Sequence, residues 1–305
     1  MVVGAGAVGS YYGALLARDG HEVTLVARGP HLDALRERGS VEVEEADGSV
    51  WRAPVRALAS PADAGAPPDL AILTVKSHHT LPAARALTPA LAPETLVLSL
   101  QNGVDNPERA APALGEGRVL AGIAFVGLWV SAPGRVHHQA EGWVKVGDPL
   151  GGITERSRAL AAVLGSSWEV VLSEDIVRDQ WHKLLWNIGF NALCAITGAT
   201  AGEALATPET RLLVREAMEE AAAVALARGV RLTREDIDEM AADNPQLRDY
   251  RPSTARDLDA GKRLEREALT GFVMRQGALA GVPTPVNRVL DALLALQSDR
   301  RAAAA

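Results

Sequence analysis

Cysteine is almost absent: Cys194 is the only one in 305 residues, so no disulfide can close within the chain. That fits a reducing compartment, where thiols stay free, and the expected location is cytoplasmic. Basic charge is not in excess. The formal net charge is −7 at pH 7, which argues against a nucleic-acid binder, since such a domain carries a basic face. An anionic ligand must then be held by local basic residues and backbone amides. Long apolar runs are missing, and neither a membrane span nor a signal-peptide pattern is present. Internal repeats are absent, and the only biased segment is the alanine tail at 302–305. The adjacent pairs His78-His79 and His137-His138 have no third ligand at regular spacing, so no metal centre is expected. What remains is a composition of 48% hydrophobic and 23% charged residues, enough for a globular core. The length points to about two domains.

The first half of the chain alternates short apolar runs with amphipathic stretches. Met1–Val3, Glu22–Val26, Leu70–Val75 and Thr95–Leu100 are rich in Val, Ile and Leu and nearly continuous, as strands buried on both faces are. Helical stretches such as Ser10–Asp19 and His31–Arg38 separate them, which is βαβ architecture. Val119–Ser131, Gly134–His138 and Trp143–Val146 read as a strand and a hairpin that close the sheet. Past about Asp175 only helical spacing is found, over Asp179–Ala195, Glu209–Arg228, Arg234–Ala241 and Glu265–Ala280. The expected division is a nucleotide-binding domain over 1–170 and a helical domain over 171–305, with the boundary near Trp168–Ser173.

Gly4-Ala5-Gly6-Ala7-Val8-Gly9 is a G-x-G-x-x-G placed between an apolar run and a helical stretch. There Gly4 permits a tight turn, Gly6 lets backbone approach a pyrophosphate, and Gly9 permits close packing of helix on strand. The second strand then selects the cofactor. An acid at its end would hold the ribose hydroxyls of NAD. Here the strand runs into Arg28, and a guanidinium suits the 2′-phosphate of NADPH in charge and geometry.

The segment 181–193 is very apolar and is interrupted by Lys183, Asn187 and Asn191. Spacing of four puts these three on one helical stripe. A lone lysine on such a helix more often sends its head to solvent. A lysine in line with two asparagines reads instead as a polar wall, and burial there would lower its pKa toward that of a useful proton donor. In the stretch 252–265, a continuous helix would hold Ser253 and Glu265 about 18 Å apart. Gly261 offers a stop and a bend that would bring them together. From spacing alone Glu265 reads as one charge among Arg263, Arg266 and Glu267 on an exposed face. Lys76 and Asn102-Gly103 follow two of the strands, at the carboxyl ends where open α/β sheets bind ligands.

Taken together these residues resemble the ketopantoate reductase family. The match runs in order through Gly4–Gly9, Val-Ala-Arg-Gly at 26–29, Val-Lys at 75–76, Gln-Asn-Gly at 101–103, Trp-His-Lys-Leu with the two later asparagines at 181–191, then Ser253, Asp257, Glu265 and Gly271, and 281–287. The resemblance implies an α/β Rossmann-type N-terminal domain and an all-helical C-terminal domain of the 6-phosphogluconate-dehydrogenase-like kind, with a cleft between them. It implies NADPH as cofactor and reduction of 2-dehydropantoate to pantoate. Lys183 matches the general acid and Glu265 the acid on the substrate's hydroxyl side. Asn187, Asn191 and Ser253 match substrate-binding positions. Lys76 and Asn102 match residues beside the nicotinamide and substrate, and Arg28 the reader of the 2′-phosphate. A homodimer is the expected assembly, and a small 2-keto acid the expected partner.

There are departures from the family pattern: Ala192 and Arg263-Leu264 stand where prolines are common, Ala201 falls near a later asparagine, and Gly122–Val130 lacks threonines. Two other readings therefore stand beside the first. One is turnover of a different, bulkier 2-keto or 2-hydroxy acid, with Phe125, Leu128 and Trp129 around it. The other is a non-catalytic NADPH sensor, which would have no need to keep both Lys183 and Glu265.

Overall fold

The computed structural model describes residues 1–245 and 248–304. The chain forms two compact units, Met1–Ile176 and Val177–Ala305.

The first unit follows the order β1 (Val2–Val3), α1 (Ala7–Arg18), β2 (Thr24–Val26), α2 (Gly29–Arg38), β3 (Ser40–Glu45), β4 (Val50–Pro54), β5 (Arg56–Leu58), β6 (Leu70–Leu73), α3 (Thr80–Leu87), β7 (Leu96–Ser99), α4 (Asn106–Leu114), β8 (Val119–Ala132), β9 (Arg135–Gly147), α5 (Glu155–Leu164) and β10 (Val170–Leu172). These strands make one 10-stranded sheet in the order β4-β3-β9-β8-β7-β6-β1-β2-β5, with β10 beside β9. Successive strand residues feed opposite cores. Val2, Leu25, Ile72 and Leu98 join one cluster with Tyr12, Leu160 and Trp168. Their neighbours Val3, Val26, Leu73 and Val97 join another with Ala84, Leu87 and Ala110. Both faces are apolar, which is why the strands read as unbroken hydrophobic runs. β1 pairs in parallel with β2 on one side and β6 on the other. The strand order reverses there, and ligands of open sheets bind at such a point.

The sheet holds more strands than the pattern predicts. β3, β4 and β5 fall in a charged stretch with no apolar run. Glu42 of β3 is nonetheless buried, because Arg52 and Arg135 both pair with it. The hydrogen bond from Arg52, with Arg135 adding to it, holds the carboxyl below its usual range. β8 and β9 are long continuous strands joined through Pro133 and Gly134. The expected break between Gly134–His138 and Trp143–Val146 is an irregularity inside β9, where Glu141 takes φ 61° and Gly142 φ 145°. β10 lies in the segment read as the domain boundary.

The second unit is helical in its described residues: α6 (Ile176–Trp186), a π turn (Asn187–Asn191), α7 (Ala192–Thr197), α8 (Ala201–Ala204), α9 (Pro208–Ala227), α10 (Arg234–Met240), α11 (Ser253–Asp259), α12 (Thr270–Ala280) and α13 (Pro285–Ala304). Side-chain caps start α9 at Thr207 and α10 at Thr233. Gly198, Gly229, Gly261 and Gly281 supply the positive φ at helix ends. The helix expected from Glu265 starts instead at Thr270, after a 3-10 turn over Arg266–Ala268, because Leu269 has the non-helical ψ of −104°. Among the described residues no helix is long and apolar enough to cross a membrane.

The three motif glycines are under different constraints. A Cβ on Gly4 would lie 2.6 Å from the Val75 amide, and one on Gly9 2.4 Å from the Gly4 carbonyl, while one on Gly6 would meet nothing within 4 Å. Gly9→Ala should therefore cost about 1–3 kcal/mol of stability, as overpacking does. Gly6→Ala should cost about 0.5 kcal/mol or less, as at an open site. Urea denaturation of the two variants checks this, and equal losses would contradict it.

Candidate active site

In the first unit the glycine turn sits at the carboxyl end of β1. Gly4 takes φ +108°, and the amides of Gly4 and Ala5 both donate to the Val26 carbonyl, at 3.1 and 3.0 Å. The first helical bond of α1 runs from the Ser10 amide to the Gly6 carbonyl, at 2.9 Å. The amides of Ala7, Val8 and Gly9 thus belong to a first turn, where a helix has no internal acceptors. No side chain caps this end and no acid lies in the turn. An open, positively polarised helix start beside an unobstructed Gly6 fits a dinucleotide pyrophosphate.

Arg28 lies two residues beyond the end of β2, in extended conformation (φ −141°, ψ 158°), at the residue before α2, with an exposed side chain. A histidine ties its helix to the glycine turn. The Gly134 amide donates to His31 Nδ1 at 3.1 Å, so Nδ1 is bare and the protonated Nε2 donates to Ser10 Oγ, also at 3.1 Å. Burial lowers the His31 pKa, favouring this neutral form.

Lys76, half-buried, follows β6 and precedes a short 3-10 turn, Ser77–His79. Asn102, also half-buried, follows β7. A buried network that the sequence reading passed over braces both loops. The Gln101 amide donates to the Val75 carbonyl at 2.9 Å and to the Thr80 hydroxyl at 2.8 Å. Thr80 lies 2.9 Å from Asn106 Oδ1, and the Asn106 amide donates to the Asn102 carbonyl at 2.8 Å. Gln101 stood within the quoted Gln-Asn-Gly motif, but nothing in its spacing marked it as a brace.

In the second unit Lys183 lies in the last turn of α6, half-buried, and desolvation lowers its amine pKa to about 8. Asn187 and Asn191 are 8% and 3% exposed. The Asn191 amide donates to Asn187 Oδ1 at 3.4 Å, while its own Oδ1 is buried with no hydrogen-bond partner. A buried acceptor without a partner is costly, and a bound hydroxyl would satisfy it. The helix is not the regular α-helix that spacing of four assumed. Asn187–Asn191 form a π turn, a widening frequent at functional sites. Gly189 within it approaches α9 so closely that a Cβ would lie 2.5 Å from Met218 Cε and 2.9 Å from Val214 Cγ1.

Ser253 is the first residue of α11 and half-buried. The stop at Gly261 is present, with φ +63°. Glu265 is not on an exposed face: it is 7% exposed and sits just before the 3-10 turn, while Arg263 points to solvent. Among the described residues no group of three His, Cys, Asp or Glu could hold a metal ion. An amine with a pKa near 8, beside buried amide groups, can donate a proton near neutrality and hold an oxygen-rich anion.

The N-terminal unit is a Rossmann-type dinucleotide fold and the unit after it is helical, which is the build of a nicotinamide-dependent oxidoreductase. Residues 1–151 match the ketopantoate reductase PanE/ApbA family and residues 175–297 its C-terminal counterpart, and the chain belongs to that family. A 2-dehydropantoate 2-reductase of Mesorhizobium japonicum is 32% identical over 97% of this chain and 95% of its own length. The crystal structure of a PanE/ApbA family ketopantoate reductase from Ralstonia eutropha is 37% identical, with a TM-score of 0.89 over 99% of each chain. A D-mandelate dehydrogenase shares the fold, with a TM-score of 0.90 over 99% of each chain at 24% identity.

The Lys183 amine can donate a proton only while it is protonated, so a general-acid role predicts a wild-type kcat that falls as pH rises through about 8. Lys183→Ala should lower kcat by about 10²–10⁴-fold with little change in cofactor affinity. A pH–rate profile and a cofactor titration of both proteins check this. A variant with near-normal kcat and an unchanged profile would return Lys183 to a packing role.

Proposed function

We propose that this chain reduces 2-dehydropantoate to (R)-pantoate with NADPH. The observation that carries the reading is the desolvated Lys183 one turn before the buried Asn187–Asn191 pair. The relatives of at least 30% identity over nearly the whole chain carry the name 2-dehydropantoate 2-reductase, which supports the substrate.

The residues that would hold the cofactor are Gly4, Ala5, Gly6, Ala7, Val8 and Gly9 at the pyrophosphate, Arg28 at the 2′-phosphate, and Lys76 and Asn102 toward the nicotinamide and the keto acid. When bound, NADPH supplies the hydride that reduces the keto carbon. Lys183 stabilises the negative charge that develops on the keto oxygen and delivers the proton that completes the alcohol. Asn191 accepts a substrate hydroxyl with its unpartnered Oδ1, and Asn187 and Ser253 hold the remaining polar edge. Glu265 fixes the substrate's hydroxyl side.

A bulkier acid finds no support in the aromatic residues of β8. Phe125 stacks on Trp143 at 3.9 Å and Trp129 on His137 at 4.0 Å, and Leu128 packs on the first core. A homodimer built on the second unit is part of this proposal, since Val289, Leu293 and Leu296 form an exposed apolar stripe along α13. So is a cytoplasmic setting, from the single free thiol.

The test is NADPH oxidation with a panel of 2-keto acids. The expected best substrate is 2-dehydropantoate, and a bulkier acid with higher kcat/KM would replace it. Cofactor choice has its own check. Arg28→Ala should weaken NADPH by about 10-fold or more, the worth of a charge-assisted pair, and leave NADH nearly unaffected. Equal losses, or a wild type that prefers NADH, would overturn the role of Arg28.

A further inference from the structure

The parallel pairing of β6 with β7 runs to Leu73 opposite Ser99, with a rung from the Leu100 amide to the Leu73 carbonyl at 2.9 Å. A regular parallel ladder spaces its rungs evenly, and the next would bring the Asn102 amide to the Val75 carbonyl. That carbonyl instead receives a side chain: Gln101 Nε2 donates to it at 2.9 Å. The two strands thus part at Lys76 and Asn102 while their ends stay joined.

The joint is built in one orientation. Gln101 is buried together with Ser99, Thr80 and Asn106. The Ser99 hydroxyl donates to Gln101 Oε1 at 3.0 Å, and Nε2 also donates to the Thr80 hydroxyl at 2.8 Å. Turning the amide over would set Oε1 against the Val75 carbonyl, two acceptors face to face. The Thr80 hydroxyl lies 2.8 Å from the Ser77 carbonyl and 2.9 Å from Asn106 Oδ1, and the Asn106 amide donates to the Asn102 carbonyl at 2.8 Å. One set of side chains therefore holds the carbonyls on both sides of Lys76 and that of Asn102. The Val75 backbone also meets the glycine turn, its amide lying 2.6 Å from where a Cβ on Gly4 would stand.

We propose that Gln101 is a positioning residue: its side chain stands in for the next rung of the ladder and so holds Lys76 and Asn102 apart at the separation the reaction requires. Without it the part-buried Val75 carbonyl would lose its donor, which is costly. The Asn102 amide would relieve that cost by extending the ladder, and would draw the two residues together. A misplacement of about 1 Å at a reacting pair costs on the order of 10²-fold in rate. The inference rests on the reading of Lys76 and Asn102 as the residues beside the nicotinamide and the keto acid.

The test compares Gln101→Met, which keeps the length of the side chain and removes its hydrogen bonds, with Thr80→Val, Thr80→Ser and the double variant Lys76→Ala/Asn102→Ala. Steady-state kinetics on the best acid of the panel are joined by amide hydrogen exchange on the cofactor-free protein. Gln101→Met should lower kcat by about 10²-fold, with NADPH affinity nearly unchanged, and its Asn102 amide should exchange more slowly than in the wild type. Thr80→Val should lower kcat as well, and Thr80→Ser, which keeps the hydroxyl, should stay close to wild type. A wild-type kcat in a folded Gln101→Met overturns the proposal. So does an Asn102 amide that exchanges as fast as in the wild type or faster, since Gln101 would then not stand in for a rung. If thermal melts show Gln101→Met unfolded, the Thr80 pair decides: a loss in Thr80→Val that Thr80→Ser restores supports the proposal, and a wild-type kcat in Thr80→Val overturns it. An impaired Lys76→Ala/Asn102→Ala beside a normal Gln101→Met sinks this inference and spares the function. A normal Lys76→Ala/Asn102→Ala removes the reading of the site on which the inference stands.

Discussion

The approach of α1 to β1 with no side chain between them is the constraint on which the first unit turns. Gly9 lies so near the Gly4 carbonyl and the Thr74 hydroxyl that even a methyl group would collide. Helix start, strand end and the Thr74 loop are therefore locked into one geometry, with the Thr74 hydroxyl donating to the Gly4 carbonyl at 2.8 Å. Because backbone and the Thr74 hydroxyl close this lock together, the amides of the first turn are held in one direction. His31 extends the same geometry to the helix that follows Arg28, so the groups expected to meet the two ends of a dinucleotide's phosphates share one framework.

The second unit solves a different problem, that of keeping a cation where water is scarce. Lys183 has lost enough solvent for its amine to titrate about 2.5 below the ordinary value of 10.5, near 8. The loss of charge stability is what makes the proton available. The apolar surroundings are not loose: Trp186 lies against Phe190 and Tyr250, at 5.0 and 5.8 Å between ring centroids, and Gly189 seats the helix against Met218. Packing of this kind fixes the course of the helix that carries Lys183.

How far this was legible in the sequence differs from residue to residue. Strands buried on both faces announce themselves, and β1, β2, β6 and β7 stand close to where apolar runs put them. β3 stayed hidden because its buried Glu42 depends on Arg52 and Arg135, and Arg135 is distant in sequence, so no local pattern carries the pairing. β10 has three residues, too few for periodicity. α13 went unread behind Gly-Val-Pro-Thr-Pro, although the proline at its first position is a normal helix start. In the site, the stripe of Lys183, Asn187 and Asn191 was visible as polar interruptions of an apolar helix. The burial of Glu265 was not, because its charged neighbours disguise it. Glu265 belongs to a turn whose next residue, Arg266, pairs with Asp291, far along the chain.

The π turn also sets a phase. Each residue of an α-helix advances the side-chain direction by about 100°, and a widened turn amounts to one residue more than the regular helix would use over the same rise. Removing a single residue from 187–191 would restore the regular pitch over the same rise and leave Ala192–Thr197 in phase. A deletion elsewhere in the helix would instead swing that segment around the axis and turn Leu193 and Cys194, now interior, toward different neighbours. The π turn is thus the one stretch of this helix in which a change of length leaves the far end facing the same way.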